Sequence, residues 1–208
     1  MSDGVPVLHV DAAIVIIDKP AGMLAVPGRG AAGQDCAWAR VQREFPQALV
    51  VHRLDQATSG LLVLARGAAA QRRLSLAFAE RQVDKRYTAV VAGLLADDAG
   101  SIDLPLAVDW PNRPRQRIDR AQGKPSLTHW RVLARDAAAG TTRLALQPHS
   151  GRSHQLRVHL LAIGHPILGD ALYAPARIAP RLLLHASALT LPHPDDGRAL
   201  NFSSPAPF

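Results

Sequence analysis

Apolar residues in this chain come in short, nearly continuous runs, and that pattern limits what it can fold into. Residues 13–17 (AIVII) are mostly β-branched and stop at Asp18-Lys19-Pro20-Ala21-Gly22, which reads as a buried strand closed by a turn. Val50-Val51 and residues 61–65 (LLVLA) form two more such runs. Between them lies HRLDQATSG, residues 52–60, a loop rich in functional groups held between two strands. Residues 87–91 read as a strand, residues 128–134 and 142–147 as a strand pair around a turn at 136–140, and residues 181–191 as a closing strand.

Helical spacing is confined to two stretches. In residues 68–81, Leu74, Ala77, Phe78 and the stem of Arg81 share a face, with Arg72, Arg73 and Glu80 toward water. In residues 153–163, Ser153 is the expected N-cap and Gly164 the expected stop. Leu156, Leu160 and Ile163 then line one face and His154, Arg157 and Leu161 the adjacent one, where Arg157 by itself reads as a surface residue. Residues 101–124 hold Pro105, Pro111, Pro114 and Gly123 and should be mostly irregular or short extended pieces. Many short strands without β-α-β alternation imply an α+β fold with a largely antiparallel sheet. The 208 residues carry no repeat, low-complexity tract or linker, so one domain is expected.

Charge narrows the partners. Lys+Arg number 24 against 17 Asp+Glu, a net +7, and only Lys19, Lys85 and Lys124 are lysines. Guanidinium presents a planar fork that fits phosphate and stacks on bases; a high-GC genome spelling surface charge as arginine gives the same composition. The single cysteine, Cys36, excludes an internal disulfide framework and a multi-cysteine zinc site and fits a reducing cytosol. The first ten residues carry Asp3 and no basic stretch before an apolar run, and no run approaches 18 apolar residues. A cytoplasmic protein that does not span a membrane is expected.

Several chemistries lack their residues. No Walker A sequence, no GxGxxG after a strand and no GxSxG elbow occurs. His149, His154 and His159 would be spread by about 140° per step on a helix, with no carboxylate among them, which argues against zinc. A glycosidase-type pair of carboxylates is not visible either, since Glu44 and Glu80 are the only glutamates. Acid chemistry falls to an isolated aspartate. Asp55, beside Arg53 in the loop between two apolar strands, is the candidate; the alternative is an Asx-turn in which its carboxylate caps the backbone near Thr58.

These residues resemble a known family. His52-Arg53-Leu54-Asp55-Gln56-Ala57-Thr58-Ser59-Gly60 is similar to the HRLDxxTSG signature of the RluA family of RNA pseudouridine synthases. Asp18-Lys19-Pro20-Ala21-Gly22-Met23-Leu24 with Pro27-Gly28 resembles the family's opening motif, Lys85-Arg86-Tyr87 its tyrosine motif, and residues 150–159 (SGRSHQLRVH) its arginine-bearing motif. Residues 164–170 (GHPILGD) and 181–186 (RLLLHA) match as well, in family order. One departure is Ser150, where the family more often has threonine.

The resemblance implies a pseudouridine synthase catalytic fold, a mixed, mostly antiparallel sheet with flanking helices and loops around a central cleft. It implies an isomerase that needs no cofactor and no metal. Asp55 would be the essential carboxylate, Tyr87 would stack on the target uracil, and Arg157 would pair with Asp55 and keep it ionised. Arg53 would enter the RNA where the flipped base has left. Arg113, Arg115, Arg117 and Lys124 are the candidate RNA-binding surface, and Trp110 either clamps a loop nucleotide or packs in the core. The opening motif begins by residue 14, so residues 1–208 are expected to be a single catalytic domain without a separate N-terminal S4-like RNA-binding domain. The compact form resembles the subgroup that modifies both 23S rRNA and a tRNA anticodon stem-loop. A single rRNA or tRNA site, or a catalytically silent RNA-binding module, are the alternatives; no membrane and no obligate protein partner are expected, and the chain should be monomeric.

Overall fold

The short apolar runs form strands, and they are continuous rather than alternating because both of their faces are covered. The computed structural model describes residues 4–176 and 179–208. The chain divides into two compact units, residues 1–85 with 185–207, and residues 86–184 with Phe208.

In the first unit, β1 (Val7–Val10) and β2 (Ile14–Lys19) are antiparallel, and β2 runs antiparallel to β4 (Ser59–Arg66). The short β3 (Ala48–Val50) pairs with β4, β11 (Leu184–Pro192) lies parallel to β4 at His185 and Ala186, and β12 (Ala199–Ser203) is antiparallel to β11. Ile14, Val15, Ile16 and Ile17 are all fully buried, as are Leu62, Val63, Leu64 and Ala65, so successive side chains find apolar surroundings on opposite faces of the sheet. Helix α2 (Ala68–Ala79) covers one face, where Ala70, Leu74 and Ala77 join Ile14, Ile16, Leu61, Val63 and Leu189 in one core cluster. Helix α1 (Ala37–Glu44) lies between β2 and β3 in sequence and buries Ala37 and Val41.

The second unit holds β5 (Asp84–Ala92), antiparallel to β10 (Thr141–Pro148), which pairs in turn with β9 (Leu127–Asp136) and β9 with β6 (Ala99–Asp103). A separate hairpin, β7 (Leu106–Val108) and β8 (Gln116–Ile118), packs through Leu106 and Ile118 against Val158 of α3 (Gln155–Ala162) and against Tyr173. Among the described residues these elements make a mixed, mostly antiparallel α+β fold, and no helix is long and apolar enough to cross a membrane.

Helix ends depart from the sequence reading. Helix α3 starts at Gln155, and its N-cap is His154 in a left-handed conformation (φ 54°), not Ser153. The start is held by a side chain reaching back: Gln155 Oε1 accepts from Ser150 Oγ (2.8 Å) and from the Arg152 N–H (3.1 Å). Gly164 does end the helix (φ 84°), with its N–H on Leu161 O and the His165 N–H on Leu160 O, a Schellman closure. Ile163 is therefore the C-cap, about a third exposed, and does not extend the Leu156–Leu160 face. Likewise α2 ends before Arg81, which is exposed at φ 60° and takes the left-handed closing position; its stem is not part of the buried face. Residues 101–124 contain β7, β8 and a short 3-10 turn at Trp110–Asn112, and the closing strand begins at Leu184 rather than at 181. Helix α1 and strands β1, β6 and β12 have no counterpart among the apolar runs.

Candidate active site

Asp55 is half-buried in the loop joining β3 to β4. Leu54 anchors that loop in the interior (6% exposed), while Arg53 projects into solvent. The Thr58 N–H donates to the main-chain carbonyl of Asp55 at 3.1 Å, so the turn expected of an Asx side chain is closed by backbone. His52 Nε2 accepts the Val63 N–H at 3.0 Å, and the ring stacks on Phe78 at 4.6 Å between centroids. A nitrogen that accepts a backbone N–H cannot carry a proton. Burial, reinforced by the Lys85 ammonium, accordingly pushes the His52 pKa down to about 3.

The loop is tied at both ends by buried polar groups. Lys19, fully buried, donates from Nζ to the carbonyls of Pro20 (2.8 Å), Met23 (2.7 Å) and Gln56 (3.1 Å). A buried ammonium is tolerated only with such acceptors, and here they fasten the turn after β2 to the residue following Asp55. Gly22 and Gln56 add two reciprocal bonds, Gly22 N–H to Gln56 O (2.9 Å) and Gln56 Nε2 to Gly22 O (3.0 Å). On the exit side, Ser59 Oγ meets His185 Nδ1 at 2.8 Å, His185 Nε2 meets Ser204 Oγ at 3.1 Å, and Ser204 Oγ donates to Asp18 Oδ2 at 2.5 Å. With Asp18 as the terminal acceptor, the chain runs in one direction, Ser59 O–H to Nδ1 and Nε2–H to Ser204. Gly60 follows because a Cβ there would lie 2.4 Å from Ala186 O, at φ 112°.

In the second unit, Tyr87 is half-buried in β5 opposite Leu146, on the strand face that carries Ala89 and Val91. Arg157 is buried, 4% exposed, although its helical position alone allowed a surface place. It forms a bidentate pair with Asp170, Nε to Oδ2 and Nη2 to Oδ1, both at 2.7 Å. Asp170 Oδ1 also accepts the N–H groups of Leu172 and Tyr173 (3.0 and 3.1 Å). Two guanidinium groups lie near the Tyr173 ring, Arg157 at 5.1 Å and Arg115 at 5.3 Å from its centroid. Its hydroxyl accepts the Gln116 N–H (2.7 Å), leaving the phenolic proton for His154 Nδ1 at 2.8 Å. The helix bearing Arg157 and the β7–β8 hairpin are thereby joined through one tyrosine. His159, whose pKa burial lowers, meets Thr128 Oγ1 and Leu104 O with its two nitrogens; these histidines serve packing.

The basic residues differ among themselves. Arg113 is exposed and lies over the Trp110 ring at 3.2 Å; Trp110 is 68% exposed, so it is not a core residue. Arg115 is half-buried against Tyr173, Arg117 is exposed and bonded to Asp119 Oδ2 (3.0 Å), and Lys124 is exposed. Lys19, Asp170 and His185 lie inside motifs that the sequence displayed, but buried charge and its partners cannot be read from a run of letters. Gln155 also lies inside such a motif, whereas Tyr173 and Ser204 carry no signal.

This geometry coincides with a known family: residues 13–162 match the family model for RNA pseudouridylate synthase. The chain belongs to that family. Its members are isomerases that act on uridines in RNA, and this chain is one of them. Over 205 residues it is 50% identical to a dual-specificity RNA pseudouridine synthase RluA from Escherichia coli, spanning 97% of this chain and 93% of that one. A protein of the same name from Yersinia pestis is also 50% identical, over 97% and 99% of the two chains. Among solved structures, human RNA pseudouridylate synthase domain containing 1 superposes with a TM-score of 0.83 at 28% identity, covering 100% of this chain and 86% of its own. The human domain containing 4 gives 0.76 at 27%, covering 97% and 88%.

Proposed function

We infer that this pseudouridine synthase modifies uridines in two RNAs, 23S rRNA and a tRNA anticodon stem-loop, with Asp55 as its catalytic carboxylate. Support for two substrates comes from the relatives of the same compact length, half identical along nearly the whole chain, whose name states dual specificity. The observation that carries the catalytic assignment is the loop itself. Three constraints, the buried Lys19 ammonium, the buried Ser59–His185 bond and the exposed Gly22–Gln56 pair, hold the segment around a carboxylate that is only half-buried. Rigid support beneath an accessible acid suits a group that must meet a reacting sugar or base in a defined pose.

The reaction breaks the bond from N1 of uracil to the ribose C1′, turns the base, joins C5 to C1′, returns a proton to N1 and releases the C5 proton. Atoms balance without a cofactor. Asp55 acts on the sugar or base, Tyr87 stacks on the uracil, and Arg157 supports the site. Arg53, exposed on the same loop, fills the gap left by the flipped nucleotide and offsets part of the few kcal/mol that flipping costs. Arg113, Arg115, Arg117 and Lys124 supply phosphate contacts. The enzyme works as a cytoplasmic monomer built on a single catalytic domain. Uracil tritiated at C5 tests the substrate assignment: the wild type should release tritium to water from both an anticodon stem-loop and a 23S rRNA fragment. Release from only one RNA would refute dual specificity.

A further inference from the structure

Trp110 is the most exposed large apolar side chain among the described residues, and its surroundings hold it in water by design of the hairpin. The indole is 68% exposed although the Arg113 guanidinium covers it at 3.2 Å from the ring centroid. A ring with one face covered and two-thirds of its surface still open presents the other face to solvent. Hydrogen bonds close the turn that carries the ring. Asn112 Nδ2 donates to Asp109 Oδ2 (3.0 Å) and the Asn112 N–H to Asp109 O (3.1 Å). The Asp109 N–H reaches Arg115 O, and the Arg115 N–H reaches Asn112 O, both at 3.0 Å. Behind this tip, β7 pairs with β8, and the Gln116 N–H is fixed on the Tyr173 hydroxyl at 2.7 Å.

We propose that the Trp110–Arg113 stack is a docking platform for an unpaired nucleobase of the RNA substrate, a nucleotide other than the uridine being isomerised. The proposal rests on the reading that this enzyme acts on folded RNA. Aromatic faces take any base by stacking, and single-stranded loop bases are free to splay onto them. A guanidinium lying flat on indole keeps its N–H edges in plane and open, so Arg113 can bond the phosphate of the nucleotide whose base stacks on Trp110. Charge around the tip agrees with an anionic partner. Arg113, Arg117, Arg120 and Lys124 are exposed. The nearby carboxylates are occupied within the protein: Asp109 by Asn112, and Asp119 by Arg117 and the N–H groups of Ala121 and Gln122.

Binding of a stem-loop RNA carrying 2-aminopurine at successive loop positions tests this in the full chain. At one position the wild type should quench the fluorescence by stacking. Trp110→Ala should abolish that quenching and raise Kd on the order of ten-fold, within the range measured for one base–aromatic stack. Trp110→Phe should retain affinity within a few-fold and Trp110→Leu should not, while the slope of log Kd against log salt stays constant because no charge is removed. The exposed position makes misfolding avoidable, and equal melting temperatures of wild type and variants verify it. Wild-type affinity in Trp110→Ala or Trp110→Leu overturns the platform while leaving the enzyme's RNA reading intact. Absence of both RNA binding and C5 tritium release in the wild type overturns that reading itself. Self-association of the RNA-free wild type that Trp110→Ala abolishes would assign the face to a second copy of the chain, against the proposal.

Discussion

Replacing Asp170 with asparagine isolates what the buried Arg157 pair contributes. Arg157 and Asp170 are 4% and 2% exposed and joined by two 2.7 Å bonds. Asparagine preserves the shape, and its carbonyl can still accept the Leu172 and Tyr173 N–H groups, but the negative charge is gone and an amide N–H₂ faces a guanidinium. Breaking a buried ion pair from one side costs about 3–5 kcal/mol, because the remaining charge stays desolvated. For a chain of this size each kcal/mol lowers Tm by about 2–4 °C, so Asp170→Asn should melt on the order of 10 °C below wild type by calorimetry or circular dichroism. Adding Arg157→Met removes the stranded charge and should recover at least half of that loss. Pseudouridine formation should remain absent in the double variant under the proposed role of Arg157 in catalysis. A single variant melting within about 2 °C of wild type, or a double variant melting no higher than the single, would refute this reasoning.

Three further outcomes follow from the same structure. The His52 pKa lies near 3 when folded, against an ordinary 6.5; the stability present above pH 6.5 is lost as pH falls toward 3, because the unfolded chain takes up a proton that the folded one refuses. This contributes up to about 1.4 kcal/mol per pH unit, so urea midpoints between pH 6.5 and 5 should fall less steeply for His52→Gln, and an unchanged slope would contradict the assignment. Gly60→Ala would place a methyl 2.4 Å from Ala186 O at a φ of 112°, and should leave little soluble folded protein on expression, whereas a wild-type melting curve would show that β11 can move aside. Reversing charge at Arg113, Arg115 and Arg117 should weaken RNA binding and flatten its salt dependence; an unchanged slope would move the phosphate-binding surface elsewhere.

Strands were legible because a run such as residues 13–17 needs burial on both faces, and few arrangements other than a covered sheet provide it. Helix α2 was legible from Leu74 and Ala77, but not its end, since Arg81 occupies a left-handed position that glycine usually holds. The start of α3 departs from the capping pattern for a related reason. Ser153 has the side chain of an N-cap, yet the order there comes from Gln155 reaching back to Ser150 and Arg152. Helix α1 gives no periodic signal because its buried face amounts to Ala37 and Val41. At the site, the loop of Asp55 stood out as a motif, whereas the roles of Lys19, His185 and Asp170 depend on partners far away in sequence. Trp110 shows the reverse: sequence leaves open whether it packs in the core or meets a nucleotide, and the closed turn at 109–115 holds a ring that stays in water.

The most direct test of the central claim compares wild type with Asp55→Asn on one stem-loop RNA tritiated at uracil C5, measuring RNA binding and tritium release together. The carboxylate assignment predicts binding within severalfold of wild type and no release above background. Substantial turnover by a folded, RNA-binding Asp55→Asn would contradict it.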